Sequence, residues 1–187
     1  FGYEKSNSGE VVFNTAMTGY VENLTDPSYR GQMLVLTYPL IGNYGVPQAK
    51  KDTNGIALFY ESDQIQVSGL IVSDYSFDYS HWNASKSLSD WLKEHKVPGI
   101  FGIDTRALAK KLRENGTMLG KIIVNNEDIP LFDPNVKNVV DEISVKEIVT
   151  YGNGSRKIVL VDCGVKNNII RCLLKRDTQI IRVPWDY

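Results

Sequence analysis

Lys157-Ile-Val-Leu-Val-Asp-Cys-Gly164, followed by Asn167 to Arg176 and then Gln179 to Val183, is the stretch from which the fold class follows. The apolar run Ile158 to Val161 ends in Asp-Cys-Gly and reads as a buried strand closed by a tight turn. Asn167 to Arg176 reads as a helix, and Gln179 to Val183 as the next strand. Together they form one βαβ unit, the crossover that joins parallel strands. A parallel sheet covers both of its faces only when several such units succeed one another. A single unit is therefore read as the opening of a domain, and the chain as an internal piece of a longer polypeptide. Phe1 in place of an initiator methionine leads to the same expectation.

Upstream, the apolar runs are short and bounded by turn residues, as in the strands of a mixed sheet. Those predicted are Val11 to Phe13, Met33 to Tyr38, Val67 to Val72, Ile100 to Ile103 and Lys121 to Val124. Ser87 can cap a helix with Leu88, Trp91, Leu92 and His95 on one face, stopped by Pro98. A second helix is expected from Asp104-Thr105 to Asn115-Gly116, burying Leu108 and Leu112. The stretch Tyr151-Gly-Asn-Gly-Ser-Arg156 has linker character. The overall reading is α/β: a strand-rich α+β domain over residues 1–150, a linker over 151–156 and the start of a second domain over 157–187.

With 187 residues, 42% apolar, a formal charge of -1 and two histidines, the composition is that of a globular protein. It offers no electrostatic reason to expect nucleic acid or an anionic membrane surface as partner. No apolar run approaches the roughly 20 residues of a membrane helix. Cys163 and Cys172 flank a mostly helical segment, which places them roughly 10 Å or more apart, beyond disulfide reach. Reduced thiols are expected.

Cys163 stands at a strand end before a helix, where α/β folds place chemistry. A catalytic thiol needs a base to form thiolate. His95 lies on the apolar side of its helix and His81 has no carboxylate at useful spacing, so Cys163 reads as a small residue packed under the turn. Asp162 and Lys166, beside it, are equally readable as ligand contacts or as solvated ends. Gly152-Asn-Gly154 lacks the rest of a dinucleotide fingerprint, no Gly-Lys-Ser/Thr occurs, and no Cys/His cluster has metal-ligand spacing. Two loops stand out instead. Leu24-Thr-Asp-Pro-Ser-Tyr-Arg30 sets a hydroxyl, a carboxylate and a phenol in a proline-fixed turn. Thr37-Tyr-Pro-Leu-Ile-Gly-Asn-Tyr-Gly-Val-Pro47 follows a strand with two glycines and two prolines. Such loops present side chains for binding or docking, or serve simply as connections.

Gly9-Glu-Val-Val-Phe-Asn-Thr-Ala-Met-Thr-Gly-Tyr20, Leu24-Thr-Asp-Pro-Ser-Tyr29, Thr37-Tyr-Pro-Leu-Ile-Gly-Asn-Tyr-Gly45 and Gly102-Ile-Asp-Thr-Arg106, in that order, resemble the N-terminal domain of the small (glutaminase) subunit of carbamoyl-phosphate synthetase. Val161-Asp-Cys-Gly-Val-Lys-Asn-Asn-Ile-Ile-Arg171 and Val183-Pro-Trp-Asp186 resemble the opening of that family's class I glutamine amidotransferase domain, which is flavodoxin-like. The resemblance covers essentially the whole chain. It implies a protein that hydrolyses glutamine through a cysteine thioester and passes ammonia to a synthetase portion, which uses ATP, Mg2+ and bicarbonate to make carbamoyl phosphate. It places the nucleophilic Cys and its His beyond Tyr187. No catalytic residue, cofactor or metal is therefore expected in this stretch, and the fragment alone should be inactive. Ser28 is the one site residue carried over, as a hydroxyl lining the glutamine pocket from the neighbouring domain.

The implied partners are glutamine and the synthetase portion, in the same polypeptide. Thr37 to Pro47 resembles the multifunctional pyrimidine-pathway type, which is cytoplasmic and is the preferred reading. Asp74-Tyr-Ser-Phe-Asp-Tyr-Ser-His-Trp82 and Gly116-Thr-Met-Leu-Gly-Lys-Ile122 are closer to the ammonia-dependent, mitochondrial type, in which the domain would be a scaffold. Asp177 stands where the family commonly ends a helix with glycine. If it is left-handed there, that end loses roughly 1 kcal/mol. Ala16 stands where Gly or Ser is frequent, a change expected to matter little.

Overall fold

The computed structural model describes all residues, Phe1–Tyr187, as two β-sheets with helices against them and a small β-ribbon. Its α/β character is the one read from the sequence. The larger sheet contains β1 (Asn7–Asn14), β2 (Met33–Ile41), β4 (Gly69–Tyr75), β6 (Gly99–Ile100) and β7 (Met118–Ile122), in the order β6-β4-β2-β1-β7. Strands β1, β2, β4 and β6 run parallel, and β7 closes the β1 edge antiparallel. Val11 faces Met33 across one ladder and Met33 faces Gly69 across the next.

The central strand explains the layers. Met33, Leu34, Val35 and Leu36 are all buried, as expected of a parallel strand covered on both faces. Side chains alternate along a strand, so Leu34 and Leu36 enter one core with Tyr20, Leu24, Leu70, Leu88, Trp91 and Leu92. Met33 and Val35 enter a smaller one with Ile71, Leu112 and Ile122. The first is roofed by α1 (Tyr20–Thr25) and α2 (Leu88–Glu94), the second by α3 (Thr105–Asn115). β3 (Val46–Pro47) and β5 (Ala84–Lys86) form the ribbon, and the short α4 (Val139–Ile143) precedes the second sheet.

Both helices expected in this region are present. The Ser87 hydroxyl accepts from Asp90 N at 3.0 Å, and Asp104 accepts from Ala107 N at 2.8 Å, so each helix starts at the cap read from the sequence. His95, expected as a packed or partly exposed residue of that helix face, follows the last residue of α2; it is exposed, with its ring edge-on to Trp91. The expected strand Ile100 to Ile103 shortens to Gly99–Ile100 because the chain turns at Gly102, φ 80°, into the α3 cap. Helix α1 was not anticipated; six residues after a left-handed Gly19 are too few to show a period.

The second sheet is β8 (Val149–Tyr151), β10 (Thr178–Val183) and β9 (Arg156–Val161), in that order. β9 and β10 are parallel, with Ile158 opposite Ile180, and α5 (Asn167–Leu174) crosses between them. The anticipated βαβ unit is thus present, with β8 added antiparallel to β10. Consequently the glycine-rich stretch after Tyr151 connects two strands of one sheet. β9 is not the buried strand expected: it pairs on one side only, and Val159 and Val161 are 62% and 52% exposed. The two sheets meet where Ile56, from the loop before β4, packs on Ile170 of α5 and Ile180 of β10.

Candidate functional site

Asp26-Pro27-Ser28-Tyr29 forms a single 3-10 turn directly after α1. The Asp26 carboxylate accepts from Ser28 N at 2.9 Å, and Tyr29 N and Arg30 N bond back to the carbonyls of Asp26 and Pro27 at 3.0 and 3.1 Å. Proline fixes φ at the first position of the turn, where a missing N–H costs nothing. Of the three polar groups expected to be presented here, only one is. Asp26 is buried, Tyr29 leans on the main core and receives a hydrogen bond from Asn14, and Ser28 faces solvent. The second loop also behaves differently from expectation. Tyr44 stacks on Tyr20 at 4.0 Å, and its hydroxyl accepts from Gly19 N and Tyr20 N. Burial raises the pKa of both phenols.

Ser28 lines a cleft of about 270 Å³ whose opposite wall is Cys163 and Gly164. Glu10, Arg30, Gln32, Asn135 and Ile143 also line it. Gly164 has φ 96°, and a Cβ there would come within 2.5 Å of Ile143 Cδ1 and 3.2 Å of Pro27 Cβ. Only glycine lets the two turns approach so closely. Cys163 is exposed on the cleft wall, where it was expected to pack beneath the turn. The reason is Asp162, which takes the inner position. Its side chain is fully buried; Oδ1 accepts from Gly164 N and Val165 N at 3.1 and 3.0 Å, and Oδ2 accepts from Val145 N at 2.7 Å and pairs with Arg182 at 2.7 Å. The carboxylate is neither a solvated end nor a ligand contact.

Lys166 is also a structural link. Its Nζ lies 3.0 Å from Asp26 Oδ2, and that carboxylate holds the ammonium pKa above its usual value. Asn167 Nδ2 donates to Tyr60 O at 3.0 Å, Asn168 N to Glu61 Oε2 at 2.9 Å, and Arg171 to the Ala57 carbonyl. Near the cleft, Arg30 Nε donates to Glu142 Oε2 at 2.9 Å, and Lys137 pairs with the same carboxylate. Lys137 and then Arg30 hold the Glu142 pKa below its ordinary value. The serine therefore sits on a turn clamped from both sides. The structure brings Ser28 to Cys163; His81 and His95 do not line this cleft. Glu10, Gln32 and Asn135 had no signal in the sequence, since they come from β1, the residue before β2 and a later turn. No group of three or more His, Cys, Asp or Glu side chains is arranged to hold a metal ion.

Residues 1–122 match the family described as carbamoyl-phosphate synthase small chain, CPSase domain. The whole chain is 54% identical over 190 residues to the mitochondrial carbamoyl-phosphate synthase [ammonia] of Aquarana catesbeiana, covering 13% of that protein. It is 50% identical over 191 residues to multifunctional protein CAD of Squalus acanthias, covering 8%. It is 45% identical over 193 residues to the arginine-specific carbamoyl phosphate synthase small chain of Saccharomyces cerevisiae, covering 47%. The chain thus spans between a twelfth and a half of the length of these relatives.

Proposed function

The chain belongs to the carbamoyl-phosphate synthase small-chain family, and from that premise we propose that it serves a glutamine-hydrolysing carbamoyl-phosphate synthase of the pyrimidine pathway, docking the synthetase portion and completing the glutamine pocket through Ser28. One observation carries this reading. An exposed hydroxyl is held on a clamped turn, facing the first turn of the second sheet across a cleft of about 270 Å³. A hydroxyl fixed in this way offers a directed hydrogen bond to a polar substrate with little side-chain ordering left to do.

In this reading Ser28 binds and orients glutamine. The Asp26 carboxylate fixes the backbone that carries Ser28, and Lys166 fixes Asp26 to the amidotransferase part. The nucleophilic cysteine, its histidine and the ammonia-consuming synthetase, with its ATP and Mg2+, belong to other parts of a cytoplasmic polypeptide. A second reading is favoured by the names of relatives at 50–54% identity, which are ammonia synthases of mitochondria. There the same domain is a scaffold beside an inactive glutaminase.

Ser28→Ala in the complete polypeptide separates the two. The glutamine reading expects KM for glutamine to rise roughly three- to tenfold, the worth of one hydrogen bond, with the ammonia-supported rate unchanged. A glutamine KM that does not move, or a parent enzyme with no glutamine-supported activity, sinks it.

A further inference from the structure

A second cleft, of about 290 Å³, lies at the other side of the larger sheet, between α3 and the carboxyl-terminal end of β1 beside β2. Its lining is Phe13, Thr15, Thr37, Arg106, Ala109, Lys110 and Arg113. Three cations and two hydroxyls thus converge, and no carboxylate lines the cleft. None of the three cations has a carboxylate oxygen within 4.0 Å, and none makes a side-chain hydrogen bond to the protein. Asp104, on the same helix, spends its carboxylate capping Ala107 N.

The spacing makes this arrangement informative. Arg106, Lys110 and Arg113 lie four and three residues apart, so they share one helix side, where like charges repel and destabilise the helix. Several other exposed cations of the chain do have carboxylate neighbours: Lys121 has Asp128, Lys137 has Glu142 and Lys146 has Asp141. The side of α3 opposite these cations is fixed by Leu108 and Leu112 against the sheet, so the charges are delivered to the cleft by a packed element. Thr15 follows β1 and Thr37 lies on β2 one residue past the Asn14–Leu36 pair, with its hydroxyl 3.3 Å from Asn14 O. Ligands of open parallel sheets bind beyond the carboxyl ends of the strands.

We propose that this cleft is a binding site for a small polyvalent oxyanion of the phosphate class. Three positive charges without a counter-carboxylate match a di- or trianion, and the Thr15 hydroxyl, with no partner in the chain, supplies a directed donor that a flat docking surface lacks, while the Thr37 hydroxyl donates to Asn14 O. The volume suits a diphosphate and the first atoms of the molecule that carries it. The site is separate from the Ser28 cleft and does not depend on how glutamine is handled.

Hydrogen exchange of the complete polypeptide, with and without millimolar pyrophosphate, tests it. Slowed exchange is expected in peptides covering α3 and Asn14 to Ala16. The concentration giving half-maximal protection should rise about tenfold or more in R106Q/K110Q/R113Q, and about threefold in Thr15→Val, as expected for losing charged and neutral hydrogen bonds respectively. The substituted cations are exposed, and unchanged exchange in β2 and β4 verifies that the variants are folded. Absence of protection, or equal protection in the triple variant, overturns the proposal. So does citrate acting as strongly as pyrophosphate, which would assign a general polyanion site. An α3 already protected without anion and indifferent to it also overturns it, because another surface of the polypeptide would then fill the cleft.

Discussion

Asp162 and Arg182 form the most buried ion pair of the molecule, with side-chain exposures of 0% and 13%. Removing one member of such a pair leaves the other charged and unpaired in a poorly hydrated place, which typically costs about 3–5 kcal/mol. Asp162→Ala also frees the N–H groups of Val145, Gly164 and Val165. The expected outcome is a loss of that size in urea unfolding, and a loss below about 1 kcal/mol would show that water replaces the carboxylate. Two left-handed positions give a contrasting pair. Asp177, three residues past the last residue of α5, has φ 54° and so takes the left-handed conformation that favours glycine, but its carboxylate accepts from Ser155 Oγ at 2.6 Å. Lys96 has φ 58° and no side-chain partner. Lys96→Gly should therefore stabilise by up to about 1 kcal/mol, whereas Asp177→Gly should change thermal stability by less than about 0.5 kcal/mol. Equal gains at both positions would refute the compensating role of the Asp177 carboxylate. The sequence marks Asp177 as a departure from its family, yet Ser155 is 22 positions away and only the folded chain pairs them.

Elements with strong local signals lie where the sequence placed them. Ser87 and Asp104 begin their helices because a side-chain oxygen can satisfy a free N–H of the first turn wherever the helix packs. β2 is legible as a continuous apolar run, the mark of burial on both faces. β9 has a similar run, Ile158 to Val161, and differs only in its surroundings, since nothing in the structure covers its outer face or pairs its free edge. An edge strand with exposed valines is a template for pairing with other chains. Val159→Lys should raise the soluble monomeric fraction of residues 1–187 expressed by themselves, measured by light scattering, without lowering the unfolding midpoint. An unchanged tendency to associate would place the sticky surface elsewhere, for instance on the exposed Phe77 and Phe101.

At the scale of the whole molecule, the question is what holds the two sheets in register. The Lys166–Asp26 pair is 42% exposed on the lysine side, so after solvent screening it is worth about 1 kcal/mol or less. Full burial of an isoleucine is worth about 1.5–3 kcal/mol, and Ile170 and Ile180 are both fully buried against Ile56. The apolar contact supplies most of the attraction and the ion pairs set the geometry. On the proposed glutamine reading, Lys166→Met should accordingly disturb glutamine KM more than it disturbs stability, whereas on either reading Ile170→Ala should cost about 2–5 kcal/mol. The pH dependence follows from the sign of each shift. The Glu142 pKa is depressed below its ordinary 4.5 by Lys137 and Arg30, so its contribution is present above 4.5 and lost as pH falls through the depressed value. The Lys166 pKa is raised above 10.5, so its contribution is complete below 10.5 and lost as pH rises through the raised value. Limited proteolysis at the cleft should therefore stay slow between these limits and accelerate in acid; acceleration near neutrality would contradict the assignment. The sequence by itself determined the α/β class, the caps, the βαβ unit, the family and the rigid turn that carries Ser28, because each is written in local patterns or long motifs. Only the tertiary structure decided that Asp162 turns inward while Cys163 faces the cleft, that β8 joins the second sheet, and that Arg106, Lys110 and Arg113 converge with Thr15 and Thr37. These outcomes depend on which distant residue arrives next to each group, and burial and pairing are properties of that neighbourhood, not of the residue.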